Sequence, residues 1–491
     1  SASGSSAIAS RKCSVSATGS ISPASMPRPS AAALISLQPA IAPAPLPCRT
    51  FGRDPSPAPR NGQSRSPGHI RPMAKARTSR KKALPTQSDV IIVGGGLNGP
   101  VLALALAQNG LDVTVVDTQS RATLLSDTFD GRAYALALGS RRLLEALGLW
   151  HDLAAHAQAM EEIKVSDGRA GEGPAPFWMQ FDSAEIEQGP MGHMLEDRYL
   201  RRALLAALEA HPRITHRTEA RVVAQEIAAS RVSATLADGT VLTGRLLVGA
   251  DGRSSGTAER AGIKRTGWGY GQTALVAAIE HEHPHNGVAH QFFMPPGPLA
   301  ILPLPGNRSS IVWSETDAQA AAISALSDTD FLHVLRPRFG DFLGGIALAG
   351  KRFSYPLSLT IAQHFTRPGL ALVGDAAHGV HPIAGQGLNL GLRDIGALAE
   401  VVVGAHRRGE EIGSPVTLDR YAEWRRFDTA ALAIATDGVN RLFSNDNPLL
   451  RCARDLGLGM VNALPGFRRG FIREAAGLTG DVPKLLQGHP L

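Results

Sequence analysis

Cysteine and long apolar runs are both scarce in this chain of 491 residues. Its three cysteines are Cys13, Cys48 and Cys452, and their spacing offers neither a disulfide framework nor a zinc cluster. A reducing compartment is therefore the default expectation, and no metal site is predicted. No run of eighteen apolar residues occurs, so the sequence predicts no membrane-spanning helix.

Acidic residues are nearly absent from residues 1–87, which contain only Asp54 against thirteen lysines and arginines. The remainder of the chain carries 37 basic and 42 acidic residues. The excess of positive charge therefore belongs to the first 87 residues, and the rest is mildly acidic. A partner of nucleic acid is not predicted, because the charge is not spread over a folded surface.

Residues 1–87, here called the leader, are rich in Ser, Ala, Pro and Arg and show little apolar periodicity. Such a segment cannot bury enough surface to offset its ordering entropy, so we expect disorder. The composition is also typical of an organellar transit peptide. An artefact of the gene boundary, with Met73 as the natural start, and an interaction tail are the alternatives.

A glycine pattern follows the apolar run of residues 89–93, which is typical of a buried strand. Gly94 allows a tight turn, Gly96 lets a pyrophosphate approach the backbone, and Gly99 lets the following helix pack on the strand. A second apolar strand ends in Asp117, where an acid binds ribose hydroxyls. This context predicts a dinucleotide site; a glycine-rich turn in an unrelated α/β domain is the alternative.

Two further acids end apolar runs that are typical of strands. Asp251 follows residues 244–249, and Gly374 with Asp375 follows residues 370–373. An acid at this end of a parallel strand faces the ligand edge of the sheet, so Asp375 is expected to bind a ribityl hydroxyl or a water on the phosphate. For each acid, capping of a helix is the alternative.

Gly385, Gln386 and Gly387 begin a second glycine-rich helix. Its free N–H groups and dipole would favour negative charge on the pyrimidine edge of a reduced flavin. Two such helix starts in one domain suit a ligand with a pyrophosphate at one place and an electron-accepting ring at another. The predicted cofactor is therefore flavin adenine dinucleotide, FAD.

From Ser88 to Leu478 the sequence resembles the para-hydroxybenzoate-hydroxylase-like flavin monooxygenases, and within them the ubiquinone-biosynthesis branch. The motifs that carry the resemblance are Asp375-Ala376-Ala377-His378, the run from Pro382 to Asp394, Asp130-Gly131-Arg132, Glu196-Asp197-Arg198 and Asn440-Arg441-Leu442-Phe443. One departure is visible: where the family carries an Arg after the Asp251 loop, this chain has Ala258, with Arg260 two residues later.

The resemblance implies an α/β fold, with a Rossmann-like FAD-binding domain of the glutathione-reductase type, an inserted β-sheet substrate domain and a C-terminal helical part. The implied ranges are 88–165, 190–263 and 354–410 for the FAD-binding domain, 166–189 and 264–353 for the substrate domain, and 411–491 for the helical part. Arg132 is expected beside the flavin, and Arg198 on a helix that lines it. Asn389, within the second motif, is a further expected cofactor contact.

The chemistry that the resemblance implies is hydroxylation of an electron-rich phenol ring with dioxygen, after NAD(P)H has reduced the flavin. The implied substrate is a polyprenylated phenol of ubiquinone biosynthesis. The alternatives are a hydroxylase of a soluble aromatic metabolite and a non-catalytic flavoprotein subunit of a biosynthetic complex. A halogenase would be expected to carry Trp-x-Trp-x-Ile-Pro, which the chain lacks.

The resemblance also implies other quinone-biosynthesis proteins as partners and peripheral contact with a membrane. The expected location is the bacterial cytoplasm beside the inner membrane, or the matrix side of the mitochondrial inner membrane if the leader is a transit peptide. Residues 458–473 mix apolar side chains with three arginines and are a candidate interfacial segment. Because Pro465 and Gly466 are expected to break it, only Phe467 onward should be helical; a helix packed on its own domain is the alternative.

Two histidine patterns invite a chemical role. His378 and His381 lie on one turn, and His378 is a candidate for proton transfer or for lining the flavin site. Residues 280–285 read Glu-His-Glu-His-Pro-His and resemble a metal-binding tract. Because Pro284 interrupts the tract, an exposed strand end is the preferred interpretation.

Overall fold

The computed structural model describes residues 86–171, 173–185, 188–228, 231–381, 385–444, 457 and 464–491. The leader up to residue 85, and residues 458–463 of the candidate interfacial segment, therefore lie outside the described residues. Residues 79–491 are grouped in one compact unit, separate from residues 1–78, which lie outside the described residues. All elements below belong to this compact unit.

The strands are numbered in chain order. They are β1 Thr86–Gln87, β2 Val90–Val93, β3 Val113–Val116, β4 Ala133–Ala137, β5 Gln158–Met160, β6 Glu162–Arg169, β7 Gly173–Asp182, β8 Gly192–Glu196, β9 Ile214–Arg217, β10 Val222–Ala228, β11 Arg231–Leu236, β12 Val241–Gly244, β13 Leu246–Gly249, β14 Arg265–His281, β15 Val288–Phe293, β16 Leu299–Leu304, β17 Arg308–Thr316, β18 Ile346–Leu348, β19 Phe353–Ala362, β20 Thr366–Arg367, β21 Leu370–Leu372 and β22 His378–Gly379.

The helices are numbered in the same way. They are α1 Asn98–Ala107, α2 Arg121–Leu124, α3 Leu138–Ala146, α4 Trp150–Leu153, α5 Asp197–Ala210, α6 Gly256–Arg260, α7 Asp317–Ser324, α8 Asp328–Phe339, α9 Gln386–Arg407, α10 Pro415–Phe443, α11 Pro465–Ala475 and α12 Lys484–Gln487. Short 3₁₀ turns include Gly374–Ala376, directly after β21.

A six-stranded sheet in the order β20-β21-β13-β2-β3-β9 carries the glycine motifs. Its five strands from β21 to β9 pair in parallel, and only the edge strand β20 is antiparallel. All four residues of β2 and of β13 are buried, as expected for strands covered on both faces. Because parallel strands present their carboxyl ends at one edge, the loops after β2, β3, β13 and β21 meet there.

A larger sheet runs in the order β22-β19-β14-β17-β16-β15-β6-β7, with β18 paired to β14. Along β14 the side chains alternate, which is the period-two rule for strands. Leu275 and Ala277 join the cluster that contains Trp313 and Phe331 of α8, whereas Ala274 and Val276 line a cavity on the opposite face. The predicted α/β architecture with a β-rich second part and C-terminal helices is confirmed.

The expected domain limits do not coincide with the strands. β6 spans the expected limit at residues 165 and 166, and β19 spans the one at 353 and 354, yet both strands pair within the large sheet. β1, which pairs with β12, lies inside the range expected to be disordered. The division into domains therefore stays a prediction.

The C-terminal helices correct one expectation. The helix begins at Pro465 rather than at Phe467, two residues earlier than expected, and Pro465 occupies its first turn, where its missing N–H would be unsatisfied in any case. Ile472 of this helix is fully buried in a cluster with Phe181 and Phe443. Among the described residues, no helix is both long and apolar enough to cross a membrane.

Candidate functional site

A cavity of about 1760 Å³ lies at the carboxyl edge of the six-stranded sheet and extends over the large sheet. At the sheet edge it is lined by Gly96, Gly252 and Asp375, which follow β2, β13 and β21. Farther away it is lined by the large sheet and by α10. The cavity therefore has a polar end built from loops and a second end built from strands and helices.

The three glycines of the first motif have different surroundings. Gly94 has φ +114°, and a side-chain carbon there would collide with the carbonyl of Ala250. A side-chain carbon on Gly99 would collide with the carbonyl of Gly94. Gly96, by contrast, has no atom within 4 Å of that position and faces the cavity. Gly94 and Gly99 are thus required by the fold, whereas Gly96 leaves space that only a ligand would occupy.

Asp117 follows β3 and is buried, with 7% of its surface exposed. Its Oδ1 accepts a hydrogen bond from the backbone N–H of Gln119 at 3.0 Å. No described group donates to its buried Oδ2. A buried carboxylate oxygen without a donor is costly, and a ribose hydroxyl supplies the missing donor. The Asp117 side chain therefore fits the adenosine end of FAD.

A buried aspartate supports the turn after β21 through a hydrogen bond. Gly374 has φ +58° and donates its N–H to Oδ2 of Asp394 at 2.9 Å. Asp375, the next residue, is 40% exposed and lines the cavity. Its Oδ2 accepts from Nε of Arg253 at 3.2 Å. Arg253, which belongs to none of the sequence motifs, therefore lies beside Asp375 at the polar end of the cavity.

The N-terminus of α9 faces the cavity, as predicted from the Gly385-Gln386-Gly387 run. Gly385 is its N-cap in the left-handed region at φ 64°, without a side-chain cap. Gly385, Gln386 and Gly387 all line the cavity. The first N–H groups of a helix have no intrahelical acceptor, so this end of α9 is suited to a negatively charged ring edge.

Asn389 also borders the cavity, but its amide is used within the protein. Its Oδ1 accepts from the N–H of Ala137 at 2.9 Å and from Oγ of Ser140 at 2.7 Å. Its Nδ2 donates to the carbonyl of Ala135 at 2.8 Å. The side chain therefore fixes α9 against β4 and α3 and positions the helix start.

Arg132 lies where the resemblance places it, at the cavity wall. Its Nη2 contacts Asp130 Oδ2 at 2.6 Å and Asp197 Oδ2 at 3.1 Å. The hydroxyl of Tyr134 donates to the other oxygen of Asp197 at 2.9 Å. These contacts hold the guanidinium, which is 43% exposed, in a fixed direction.

Arg198 is not among the cavity-lining residues. Its Nε donates to Glu196 at 2.7 Å and its Nη1 to the carbonyl of Asp127 at 2.8 Å. Arg201, one turn later on α5, lines the cavity and donates to Asp197 at 2.6 Å and 2.9 Å. Both arginines are on α5, and the one that lines the cavity is Arg201.

Asp251 fits the capping alternative. Its Oδ2 accepts from the N–H of Thr257 at 2.9 Å and from the Thr257 hydroxyl at 2.8 Å, and its Oδ1 accepts from Ser255. It does not line the cavity; its neighbour Gly252 does. Arg260, at the visible departure from the family pattern, donates to Gln225 at 3.1 Å.

His378 is buried away from the cavity. Its Nε2 contacts Oδ2 of Asp394 at 2.6 Å, and Oδ1 of Asp394 accepts from Nε of Arg425 at 2.8 Å. Burial raises the pKa of Asp394, but the charges and hydrogen bonds of His378 and Arg425 outweigh it and lower that pKa below its usual value. The contact supports the Gly374 turn and gives His378 a structural position.

His381 lines the cavity instead. Its ring meets that of Tyr270 edge to face, with centroids 4.9 Å apart. Burial and the charge of Arg253 lower the pKa of His381 to about 4, so it is neutral at physiological pH. In the histidine tract, His281 is buried and contacts the Ser309 hydroxyl. Among the described residues, no group of three His, Cys, Asp or Glu side chains could hold a metal ion.

The second end of the cavity is apolar. Phe181 of β7, Phe293 of β15 and Phe443 of α10 face it, and the rings of Phe293 and Phe443 stack with centroids 4.1 Å apart. Further apolar lining residues are Met160, Val165, Met179, Met191, Val276, Leu302, Val312, Leu432, Val439 and Ile472. This wall is continuous with the polar end, so one ligand chamber joins both.

Comparison with known proteins agrees with this geometry. Residues 87–435 match the FAD binding domain family. The chain is 46% identical over 407 residues to ubiquinone hydroxylase UbiL of Rhodospirillum rubrum, covering 82% of this chain and 94% of that protein. It is 34% identical to the 3-demethoxyubiquinol 3-hydroxylase of Escherichia coli, covering 80% and 99%.

A solved structure supports the fold. The p-nitrophenol 4-monooxygenase PnpA of Pseudomonas putida superposes with a TM-score of 0.68 at 20% identity, covering 81% of this chain and all of that one. The matched FAD binding domain and the hydroxylase relatives show that the protein is an FAD-dependent monooxygenase with FAD as its cofactor. By its matched domain and its relatives, the chain belongs to the family of FAD-dependent hydroxylases of ubiquinone biosynthesis.

Proposed function

We propose that the protein hydroxylates the aromatic ring of a polyprenylated phenol in ubiquinone biosynthesis, with NAD(P)H and dioxygen as co-substrates. The observation that carries this proposal is the apolar end of the cavity, which joins the polar cofactor end without a wall between them. A phenol head beside the flavin and an apolar tail along Phe181, Phe293 and Phe443 would fill both ends. The named relatives, one of them 46% identical, support the same substrate class.

The polar end provides the contacts for FAD. The open space at Gly96 would admit the pyrophosphate, and the unpaired Oδ2 of Asp117 would accept a hydrogen bond from the adenosine ribose. Gly94 and Gly99 shape the turn. Asp375, paired with Arg253, serves the ribityl chain or the phosphates. We assign cofactor binding to these residues and to the α9 start, and a positioning role to Asn389 and Gly374.

Bound FAD supplies the activation of dioxygen and the transfer of one oxygen atom to the ring. The chain's own residues orient the bound molecules and shield them from water. The N–H groups of Gln386 and Gly387 at the α9 start would stabilise negative charge on the flavin ring when it is bound there. Arg132 and Arg201, both fixed by Asp197, add positive charge at the cavity wall. The apolar walls exclude water from the reacting centre.

Arg198, Asp251 and His378 take a different part in this proposal. Each is engaged within the protein and none lines the cavity. We assign them to the support of the site: Arg198 to the α5 start, Asp251 to the cap of α6, and His378 to the Gly374 turn. The FAD-binding part then comprises the six-stranded sheet with its helices, and the substrate part the large sheet.

A lipid substrate requires contact with a bilayer or with a protein that presents the lipid. We propose peripheral contact, with other quinone-biosynthesis proteins as partners, beside the membrane where the quinone is made. A hydroxylase of a soluble aromatic metabolite is the competing function. It would need a polar chamber around the ring, whereas Met, Val, Leu and Phe side chains predominate in the far wall here, beside the polar side chains of His290, Gln291 and Ser310.

The test combines a cell and a purified protein. Expression should restore ubiquinone in a strain that lacks its own ring hydroxylase, and mass spectrometry should show the accumulated intermediate disappear. In vitro, kcat/KM should rise as the prenyl tail of the phenol is lengthened. Equal kcat/KM for tailed and tailless phenols would contradict the lipid substrate, and the absence of both NAD(P)H oxidation and hydroxylated product in the FAD-loaded protein would favour a non-catalytic role.

A further inference from the structure

The long helix α10 changes character halfway along. Its first half exposes charged side chains, Asp419, Arg420, Glu423 and Arg426. From Phe427 onward its exposed positions follow helical spacing and are almost entirely apolar. Apart from Arg441, they are Phe427, Ala430, Ala431, Ile434, Ala435, Gly438 and Leu442, here called the α10 stripe.

The stripe is exposed to an unusual degree. Phe427 is 78% exposed, Ile434 74% and Leu442 44%. The acidic residues in this half of α10 form ion pairs with arginines: Asp428 pairs with Arg425 at 2.7 Å, and Asp437 pairs with Arg441. Single exposed apolar residues need no explanation, but a contiguous apolar stripe marks an interaction surface.

The stripe is continuous with the cavity. Phe427, Ala431 and Leu442 are exposed and also line it, and so does Phe471 of α11, which is 51% exposed. Ile434 points outward and is not a lining residue. The cavity thus opens where the apolar surface lies, so whatever covers the stripe also controls access to the chamber.

The charges around this surface are mostly positive. Among the described residues from Arg426 to the end of α11, the exposed charged ones are Arg426, Arg441, Arg469, Arg473 and Glu474. The guanidinium of Arg441 lies 5.6 Å from the ring centroid of Trp268, which is itself 46% exposed. Exposed Trp and Arg beside apolar side chains suit the interface between lipid headgroups and acyl chains.

We propose that the α10 stripe is a bilayer-docking surface, seated on anionic lipid so that the cavity opens toward the acyl region. This inference rests on the proposed function, since a lipid-tailed phenol is what would enter there. A protein bound over the stripe would close the opening, whereas a bilayer both covers the apolar side chains and delivers the substrate laterally. The surface is distinct from residues 458–463 and lies on described helices.

The experiment compares two aspartate substitutions on one helix in the FAD-loaded full chain. Ile434→Asp charges the stripe, and Val416→Asp, 69% exposed in the charged half of α10, is the matched control. Sedimentation uses vesicles of equal parts phosphatidylcholine and phosphatidylglycerol, and vesicles of phosphatidylcholine alone. We expect Ile434→Asp to weaken partitioning onto the anionic vesicles by about tenfold or more, as loss of one buried large apolar side chain predicts. Val416→Asp should partition like the wild type.

Flavin content and turnover of a short-tailed, water-soluble phenol should be unchanged in both variants. Equal vesicle binding by Ile434→Asp and wild type overturns the proposal. So does a shift from dimer to monomer in Ile434→Asp alone, which would assign the stripe to a second copy, or a selective fall in melting temperature, which would assign it to this chain's own segments. If binding depends on Ile434 but no phenol is hydroxylated, the docking surface stands and the proposed function fails.

Discussion

The two strands that flank β2, namely β3 and β13, are each followed by an aspartate, but the two carboxylates have different hydrogen-bond partners. Asp251 receives two donors from Thr257 and one from Ser255 and caps a helix. Asp117 receives one donor on Oδ1 and none from described groups on Oδ2. Position at the ligand edge of a sheet is therefore not sufficient to identify an aspartate that binds a ligand. The aspartate with an unpaired buried oxygen is the better candidate.

The largest effect is expected at Gly96, which stands between these two acids. Gly96→Val should lower FAD affinity by about 100-fold or more, because its side chain fills space that only the ligand needs. The apoprotein should remain as stable as wild type, since no atom lies within 4 Å of the new Cβ position. Flavin titration and thermal melting measure the two quantities. Gly94→Ala provides the contrast, because its collision with Ala250 should destabilise the fold itself; full flavin content in Gly96→Val would contradict the assignment.

The next largest effect is expected at Asp117. Asp117→Ala should weaken FAD binding by about ten- to a hundredfold, the range for a hydrogen bond to a charged group. Equilibrium dialysis against free FAD gives the value. If Asp117→Ala binds FAD like wild type while Asp251→Ala does not, the comparison between the two acids is reversed.

Asp251→Ala tests the other side. Loss of the helix cap should cost about 1–2 kcal/mol of stability, seen as an earlier midpoint in urea unfolding of the apoprotein. Its FAD dissociation constant should change by less than about tenfold, below the range expected for Asp117→Ala, because the Asp251 side chain does not line the cavity. A large loss of flavin with an unchanged midpoint would return Asp251 to the cofactor site.

The smallest effect is expected at His381, which lies near Arg253 at the carboxyl end of the third strand, β21. The pKa of His381 is about 4 in the fold and about 6.5 unfolded. Between these values the unfolded chain binds more protons, so stability should fall by about 1–2 kcal/mol from pH 7 to pH 5. His381→Gln should reduce that fall, as followed by chemical unfolding at each pH. An identical pH profile in the variant would place the acid sensitivity elsewhere.

The local sequence predicts those parts of the site whose geometry is set by a single turn. The spacing of Gly94, Gly96 and Gly99 after a buried strand, and Asp117 after the next, specifies a complete strand-turn-helix unit. The cofactor, the α/β fold and the enzyme class follow from such units and from the family motifs. The position of Gly385 and its two successors is predictable for the same reason.

The rest depends on partners that are distant in sequence. Arg198 and Arg201 lie on one helix, and only its packing on the Thr123 turn decides which arginine reaches the cavity. The cap that occupies Asp251 requires the chain to turn back at Thr257. The apolar periodicity of α10 resembles that of a buried face, so its exposed stripe cannot be distinguished from core without the fold. The helix start is predicted two residues too late because a proline that breaks a helix interior is favoured at its start.

The strand order of the six-stranded sheet has a consequence for how the protein is made. β2 and β21 lie on either side of β13, although β2 ends at Val93 and β21 begins at Leu370. A chain emerging from the ribosome therefore carries its first glycine loop long before the strand that bears Gly374 and the start of α9. Until that late segment is synthesised, the edge of β13 that pairs with β21 has no strand to pair with. Flavin capture is thus a late event in biosynthesis, and the interval before it is when the nascent protein is most exposed to aggregation.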